Sequence, residues 1–238
     1  MALQYRSQGF VFQKEDKLEA DRVFSVFTQD FGRLEIYGKA IRKIDAKLRS
    51  GIEIFSFSDI EFVQGKHRKT LTDAVRRVNF ANIQKVPEKM MVALEISELM
   101  SSLIKGSEPD VNIFQLVKEV FYKLDSYAPK DPNYKRIYYY FFWNFIGLLG
   151  YHPEILRCAL CRGSLSGEIY FSCHDGGTVC YQCANNNVYC KKTHKDAIKI
   201  LRIISAGNWD IFSKLKADRD CIKSLSDISN EYRDYIKG

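Results

Sequence analysis

Two C-x-x-C pairs constrain this chain more than any other feature of its sequence. Cys158 and Cys161 form the first, Cys180 and Cys183 the second, and 18 residues lie between them. Each pair makes a tight turn whose two thiolates converge, and a hairpin-length segment brings the second pair opposite the first. Four sulfurs at about 2.3 Å then satisfy a tetrahedral zinc ion, and the spacing falls within the zinc-ribbon range. A thioredoxin-type redox motif uses a single C-x-x-C on a helix after a strand, which two pairs framing a Gly-rich turn fit poorly. A closed set of four thiolates has no open position for water, so one structural Zn2+ per chain is expected. Cys173, Cys190 and Cys221 lie outside the pairs and read as small buried residues or free thiols. The full ligand set leaves no vacancy for His174 or His194. Gly176 and Gly177 read as the residues that permit the turn between the pairs.

Metal rather than disulfide presumes a reducing compartment, and the sequence supports that expectation. The N-terminal "MALQYRSQGFVFQKEDK" has no apolar run of about 7–15 residues such as a signal peptide carries. The longest apolar stretch, Ile137 to Leu149, spans 13 residues and is interrupted by Asn144, whereas a membrane span needs about 20. It reads as a buried helix, and the protein as cytoplasmic and without membrane contact.

The segments around the cysteines divide by periodicity. Residues 1 to about 65 contain "SQGFVFQ", "RVFSVFTQ", "GRLEIYGKA" and "IEIFSFSDIEFVQG", short β-branched and aromatic runs separated by polar turns. That is the punctuation of an antiparallel meander, in which Gly32 of "DFGR" supplies a positive φ for a hairpin. Four or five such strands suffice for a small closed barrel, of oligonucleotide-binding (OB) type or, as runner-up, SH3-like. From about residue 70 the spacing becomes helical. One helix begins at Pro87 and Glu88, shows Met91, Leu94, Leu99 and Leu103 as its apolar stripe, and ends at Gly106. The next has Asp110 as N-cap and Ile113, Leu116, Val117, Val120, Phe121 and Leu124 on one face. A third, prefaced by Asp131 and Pro132 and closed by Gly150, is apolar all round and should be the centre of a bundle. Thr193-x-x-Asp196 reads as the capping pattern of a helix after the cysteines. The expected class is α+β: an OB-like antiparallel β-barrel over 1–78, then a helical domain over 79–238 with a zinc hairpin, 156–190, inserted.

With these pieces in order, the chain resembles the family of bacterial recombination-mediator proteins RecO. The resemblance rests on "FGRLEIYGKAIRK" in the barrel, "LGYHPEILRCALC" at the entry to the cysteine segment and "GGTVCYQC" at its close. It covers nearly the whole chain and is most specific over residues 148–183, while the piece after Gly207 departs from the family's usual ending. The resemblance implies DNA repair by homologous recombination at the nucleoid, without strand-cleaving chemistry. It further implies binding of single- and double-stranded DNA and annealing of complementary strands. Contact with the acidic tail of single-stranded DNA-binding protein (SSB) and cooperation with RecR to load RecA are implied as well.

Charge and motifs are compatible with that implication. The formal charge is +7, with 15 basic against 11 acidic residues over 1–80 and balance over 81–157. Within the barrel the excess concentrates in Arg33, Lys39, Arg42, Lys43, Lys47 and Arg49, against Glu35 and Asp45, and a second cluster holds Lys66, His67, Arg68 and Lys69. Such a strip suits the phosphates of DNA of any sequence, with Tyr37 as a candidate base-stacking ring; it equally suits a solvated strand edge. For the SSB tail, Lys135 and Arg136, immediately before the aromatic run "IYYYFFWNF", offer a cation beside an apolar face or else merely an exposed first turn. No zincin, P-loop, dinucleotide or nucleophile-base motif is present, so no catalytic residue is assigned and an enzyme is not expected. The other standing reading is a zinc-stabilised interaction protein whose basic barrel meets an acidic partner.

Overall fold

The computed structural model describes residues 3–128, 133–185 and 187–238. They form two compact units, Met1–Tyr134 and Lys135–Gly238. In the first unit, strands β1 (Gln4–Lys17), β2 (Asp21–Thr28), β3 (Gly32–Gly38), β4 (Ser56–Gln64) and β5 (Lys69–Asn79) close a barrel in the order β1-β2-β3-β5-β4. All pairings are antiparallel except the closing one, where β3 and β5 run parallel through Ile36–Lys69 and Tyr37–Thr70. This Greek-key order is that of the OB barrel, not of the SH3-like alternative.

The β5 strand occupies residues for which the sequence suggests helical spacing. Its inward residue Leu71 is buried, while Thr72, Asp73, Val75 and Arg77 are exposed. Register shifts against β4 between Phe57 and Ser58 and between Glu61 and Phe62 erase a strict period of two. The other four strands follow their apolar runs. The run "GFVF" in β1 does not alternate because both of its faces are covered, and Phe10, Val11 and Phe12 are all buried. Val11 points to the barrel interior with Phe24, Val26, Ile36 and Phe62. Phe10 points outward, with its ring 5.0 Å from Phe57 and 4.3 Å from Phe121.

Helices α1 (Ala81–Lys85), α2 (Pro87–Leu103) and α3 (Val111–Ser126) complete this unit. The α3 helix is as its sequence dictates: the Asp110 carboxylate accepts from the N–H groups of Asn112 at 2.8 Å and Ile113 at 3.0 Å, and the whole expected stripe is buried. The α2 helix ends at Leu103, and its buried stripe is Val92, Ala93, Ile96, Leu99 and Met100. Met91 and Leu94, expected inside, are instead 61% and 50% exposed. Gly32 has φ +61, and a Cβ there would sit 2.2 Å from the carbonyl oxygen of Glu108, so both backbone angle and space require glycine.

The second unit is built on α4 (Lys135–Leu148), buried without interruption from Ile137 to Trp143. Asp131 and Pro132, read as its preface, lie outside the described residues. Gly150, at φ +87, ends the segment as expected, and Tyr151 N–H returns to the Ile146 carbonyl at 2.9 Å. A small sheet follows, β6 (Ile169–Ser172), β7 (Gly177–Cys180) and β8 (Lys191–Thr193) in the order β7-β6-β8, with the short helix α5 (Tyr181–Ala184) after β7. Helices α6 (Lys195–Ser205), α7 (Trp209–Lys214) and α8 (Arg219–Lys237) complete the unit. Trp143 donates its indole N–H to Ser229 at 3.0 Å, joining α4 to α8. The cap of α6 differs from the sequence reading. Thr193 hydrogen-bonds Ser224 at 2.8 Å, and His194 takes the N-cap position, its Nδ1 accepting from Asp196 N–H at 3.3 Å.

Candidate metal centre and nucleic-acid surface

The two C-x-x-C pairs arrive at one point from different local structures. Cys158 and Cys161 lie in the turn after α4, where Cys158 N–H donates to the Gly163 carbonyl at 2.9 Å and Arg162 N–H to that of Cys158 at 2.9 Å. Cys180 ends β7 and Cys183 lies in α5. Ala159 N–H bonds the Thr178 carbonyl at 2.8 Å, which sews the first turn to β7. All four Sγ atoms fall within 4.8 Å of one another. Cys161 and Cys180 are 3.8 Å apart, matching the edge of about 3.8 Å for a tetrahedron with metal–sulfur bonds of about 2.3 Å. Burial pushes the Cys158 thiol up, but the N–H groups of Cys161, Cys180 and Leu160 outweigh it and bring it down to about 6. The convergence of four sulfurs at this spacing fits a metal ion that binds thiolate.

The remaining cysteines are differently placed. Burial pushes the thiol of half-buried Cys173 up to about 11, and it raises those of Cys190 and Cys221 too. His174 stacks on Tyr189 at 4.5 Å instead of turning to the sulfurs.

Sequence reasoning missed Glu154 as an organiser of the knuckle. Its carboxylate accepts from Leu156 N–H at 2.9 Å and Arg157 N–H at 3.2 Å and pairs with Arg162 at 3.2 Å. Its backbone bridges to Gly177, where a Cβ would meet the Glu154 carbonyl oxygen at 2.1 Å. The available signal was an acid four residues before the first cysteine, accepting N–H groups as a helix cap does.

The barrel's basic residues separate into engaged and open groups. Arg33 donates from Nη1 to the carbonyls of Ser101 at 2.8 Å and Ile104 at 2.9 Å, closing the C-terminal end of α2, and it also pairs with Glu35 at 3.3 Å. Arg42 pairs with Asp16 at 3.4 Å. Lys39, Lys43, Lys47 and Arg49 are exposed in the β3–β4 connection and form no ion pair within 4 Å among the described residues. Lys39, Lys43 and Lys47 line one shallow groove of about 290 Å³. Lys66 and Arg68 are exposed in the β4–β5 turn and Lys69 is half-buried. The Arg68 guanidinium lies 3.8 Å from the centre of the Tyr37 ring, whose hydroxyl donates to the Asp21 carboxylate. The sequence could not foresee that Tyr37 already carries a cation on its face.

In the second unit, Arg136 donates to the carbonyls of Phe212 at 3.4 Å and Ser213 at 3.3 Å, so its charge serves the end of α7. Lys135 lies 5.0 Å from the centre of the Tyr138 ring. No helix of the described residues is long and apolar enough to cross a membrane.

Comparison with known proteins places these features in a family context. Residues 1–77 match the family described as Recombination protein O N terminal, and residues 84–236 match Recombination protein O C terminal. The chain is 27% identical over 222 residues to a DNA repair protein RecO of Dehalococcoides mccartyi, covering 93% of this chain and 86% of the relative. It is 22% identical over 232 residues to that of Desulforamulus reducens, covering 97% and 89%. Against the protein of Listeria innocua it is 21% identical over 233 residues, covering 98% and 89%.

Proposed function

Because the chain belongs to the recombination protein O family, and thus to the DNA-repair recombination mediators, we propose that it works without catalysis by binding and annealing DNA strands. In this reading it binds single- and double-stranded DNA, anneals complementary strands and, with RecR, helps load RecA onto DNA covered by SSB, at the nucleoid in the cytoplasm. The observation that carries it is the set of exposed cations Lys39, Lys43, Lys47 and Arg49 on an OB barrel, with Lys66 and Arg68 in the β4–β5 turn. Cations without a carboxylate partner can exchange counterions for phosphates at no cost in broken ion pairs. Arg33 and Arg42 are left out of this contact set, because each already has protein partners.

The test is DNA affinity measured against salt. Replacing Lys43, Lys47 and Arg49 together by Ala should weaken binding to every sequence alike and flatten the log–log salt slope by about one per lost contact. Arg33→Ala should leave the slope as it is and lower thermal stability instead. A triple variant with the parent's affinity and slope would refute this surface. Annealing of complementary strands coated with SSB then tests the mediator step itself.

The metal is proposed to be zinc, one ion per chain, held by Cys158, Cys161, Cys180 and Cys183. Bound there, it would cross-link the Cys158–Cys161 turn to the end of β7 and to α5 and leave no position for a reacting water. Elemental analysis of protein purified without added metal tests this.

Capture of the SSB tail at the start of α4 belongs to the same proposal. Arg136 would have to release the Phe212 and Ser213 carbonyls to take part, and Lys135→Glu probes the other cation of the pair. Tail-peptide binding undiminished in that variant would exclude the site.

A further inference from the structure

The DNA surface proposed above contains one side chain that electrostatics does not explain. Ile44 is 97% exposed, more than any other large apolar residue among those described. It lies in the β3–β4 connection amid Lys39, Lys43, Lys47 and Arg49, where Asp45 is the only acid from Lys39 to Ser50.

Single exposed apolar side chains are common, and exposure alone carries nothing. What sets Ile44 apart is how firmly the chain presents it. The connection is a run of back-to-back turns: Lys43 N–H donates to the Ala40 carbonyl at 3.2 Å, Ala46 N–H to that of Lys43 at 3.2 Å, and Arg49 N–H to that of Ala46 at 3.1 Å. Ile44 is the second residue of the middle turn. The run is also pinned to the barrel. Ala40 N–H donates to the Asp21 carboxylate at 2.6 Å and Arg42 N–H to the Ala20 carbonyl at 3.0 Å. Ile41 and Ile52 belong to the barrel core, each 2% exposed, and Leu48 packs against it. The connection thus turns Ile41, Leu48 and Ile52 inward and holds Ile44 in water.

We propose that Ile44 is a wedge: it enters between neighbouring bases of a bound strand and holds that step unstacked while Lys43, Lys47 and Arg49 hold the phosphates. This rests on the DNA-binding reading above and adds to it a contact with the bases. An apolar side chain parts a base step by replacing base–base stacking with its own contact, whatever the sequence of the step. Isoleucine is branched at Cβ and stiff about χ1, so little rotamer freedom is lost on insertion. The cations supply the attraction that offsets the lost stacking. Bases held apart in this way present their pairing edges to a complementary strand. A lipid surface is disfavoured, because one isoleucine gives too little apolar area to anchor a folded unit.

The test uses the full chain and a single strand of alternating adenine and 2-aminopurine, whose fluorescence is quenched by stacking. Affinity, salt slope and fluorescence are read in the same titrations. Binding of the parent should raise the fluorescence about twofold, and Ile44→Leu should retain the rise. Ile44→Ser should lose it, bind about threefold more weakly with the salt slope kept, and anneal complementary strands several-fold more slowly. Its melting curve should match the parent's, because the side chain already lies in water in the folded protein. A rise that survives in Ile44→Ser, or that Ile44→Leu loses, would overturn the wedge. A parent that binds with unchanged fluorescence would overturn it and leave the cationic surface standing, whereas a parent that does not bind would take down both. Binding to phosphatidylserine vesicles that Ile44→Ser abolishes while the fluorescence rise persists would reassign the side chain to a membrane and likewise overturn the proposal.

Discussion

The barrel and the cysteine hairpin are both small β structures, but they solve the problem of holding themselves together by different means. The barrel encloses ten buried apolar side chains and closes its edges strand to strand. The hairpin has strands of four, four and three residues, and its buried cluster is Cys158, Val179, Cys180 and Ala184, half of it sulfur. A cluster of that size cannot repay the backbone entropy of the surrounding turns. The comparison teaches that one chain can be ordered by hydrophobic burial in one region and, with the proposed metal at its four cysteines, by ligation in another. The two regions should therefore fail independently and under different insults.

The strongest way to break that contrast is to remove the metal proposed at Cys158, Cys161, Cys180 and Cys183. Structural zinc contributes on the order of 10 kcal/mol in small modules, so chelation, or Cys161→Ser, should abolish amide protection over 154–193. Protection in the barrel strands should persist in the same hydrogen-exchange experiment. Loss of both together would mean that the hairpin and barrel form one cooperative unit.

The converse insult is a cavity under the barrel. Phe121 meets Phe10, Phe55 and Phe80 with ring centres 4.3 to 5.8 Å away. Phe121→Ala should cost about 3–5 kcal/mol, visible as a lower denaturant midpoint, with the metal content per chain unchanged.

A smaller and more local effect is expected at the β2–β3 turn. Gly32→Ala forces a Cβ against the Glu108 backbone at a left-handed φ, which should cost about 1–3 kcal/mol. Thermal melts would report it, and a neutral result would show that the 107–108 segment yields freely.

The smallest effect is electrostatic. Asp21 is held below the ordinary aspartate range by the Ala40 N–H and the Tyr37 hydroxyl. A lowered carboxyl contributes its stability in full above the unfolded value of about 4 and loses it as pH falls through the folded value. The parent's advantage over Asp21→Asn in melting temperature should thus be present at neutral pH and shrink on acidification below about pH 4. An advantage that stays constant with pH would assign it to geometry instead of charge.

Local chemistry was legible in the sequence. The cysteine spacing, the Asp110 cap, the α3 stripe and the left-handed turn at Gly32 depend on neighbours within a few residues, or on covalent constraints that no distant contact can override. What only the tertiary structure decided are matters of closure and partnership. Residues 69–79 become a strand because β3 and β4 leave a gap that a backbone with Leu71 inward can fill. The α2 helix buries Val92 and Ile96 and exposes Leu94, because either stripe satisfies helical periodicity and only the surfaces it packs against choose between them. Arg33, read as a phosphate contact, ends at the α2 carbonyls, and Thr193 yields the cap to His194 because Ser224 takes its hydroxyl. In each case the sequence by itself determined which groups carry charge, apolar surface or a hydrogen-bonding atom. Which partner each group meets was decided by chain segments far away in sequence, since a side chain's interaction energy depends on what the fold brings within a few ångströms of it.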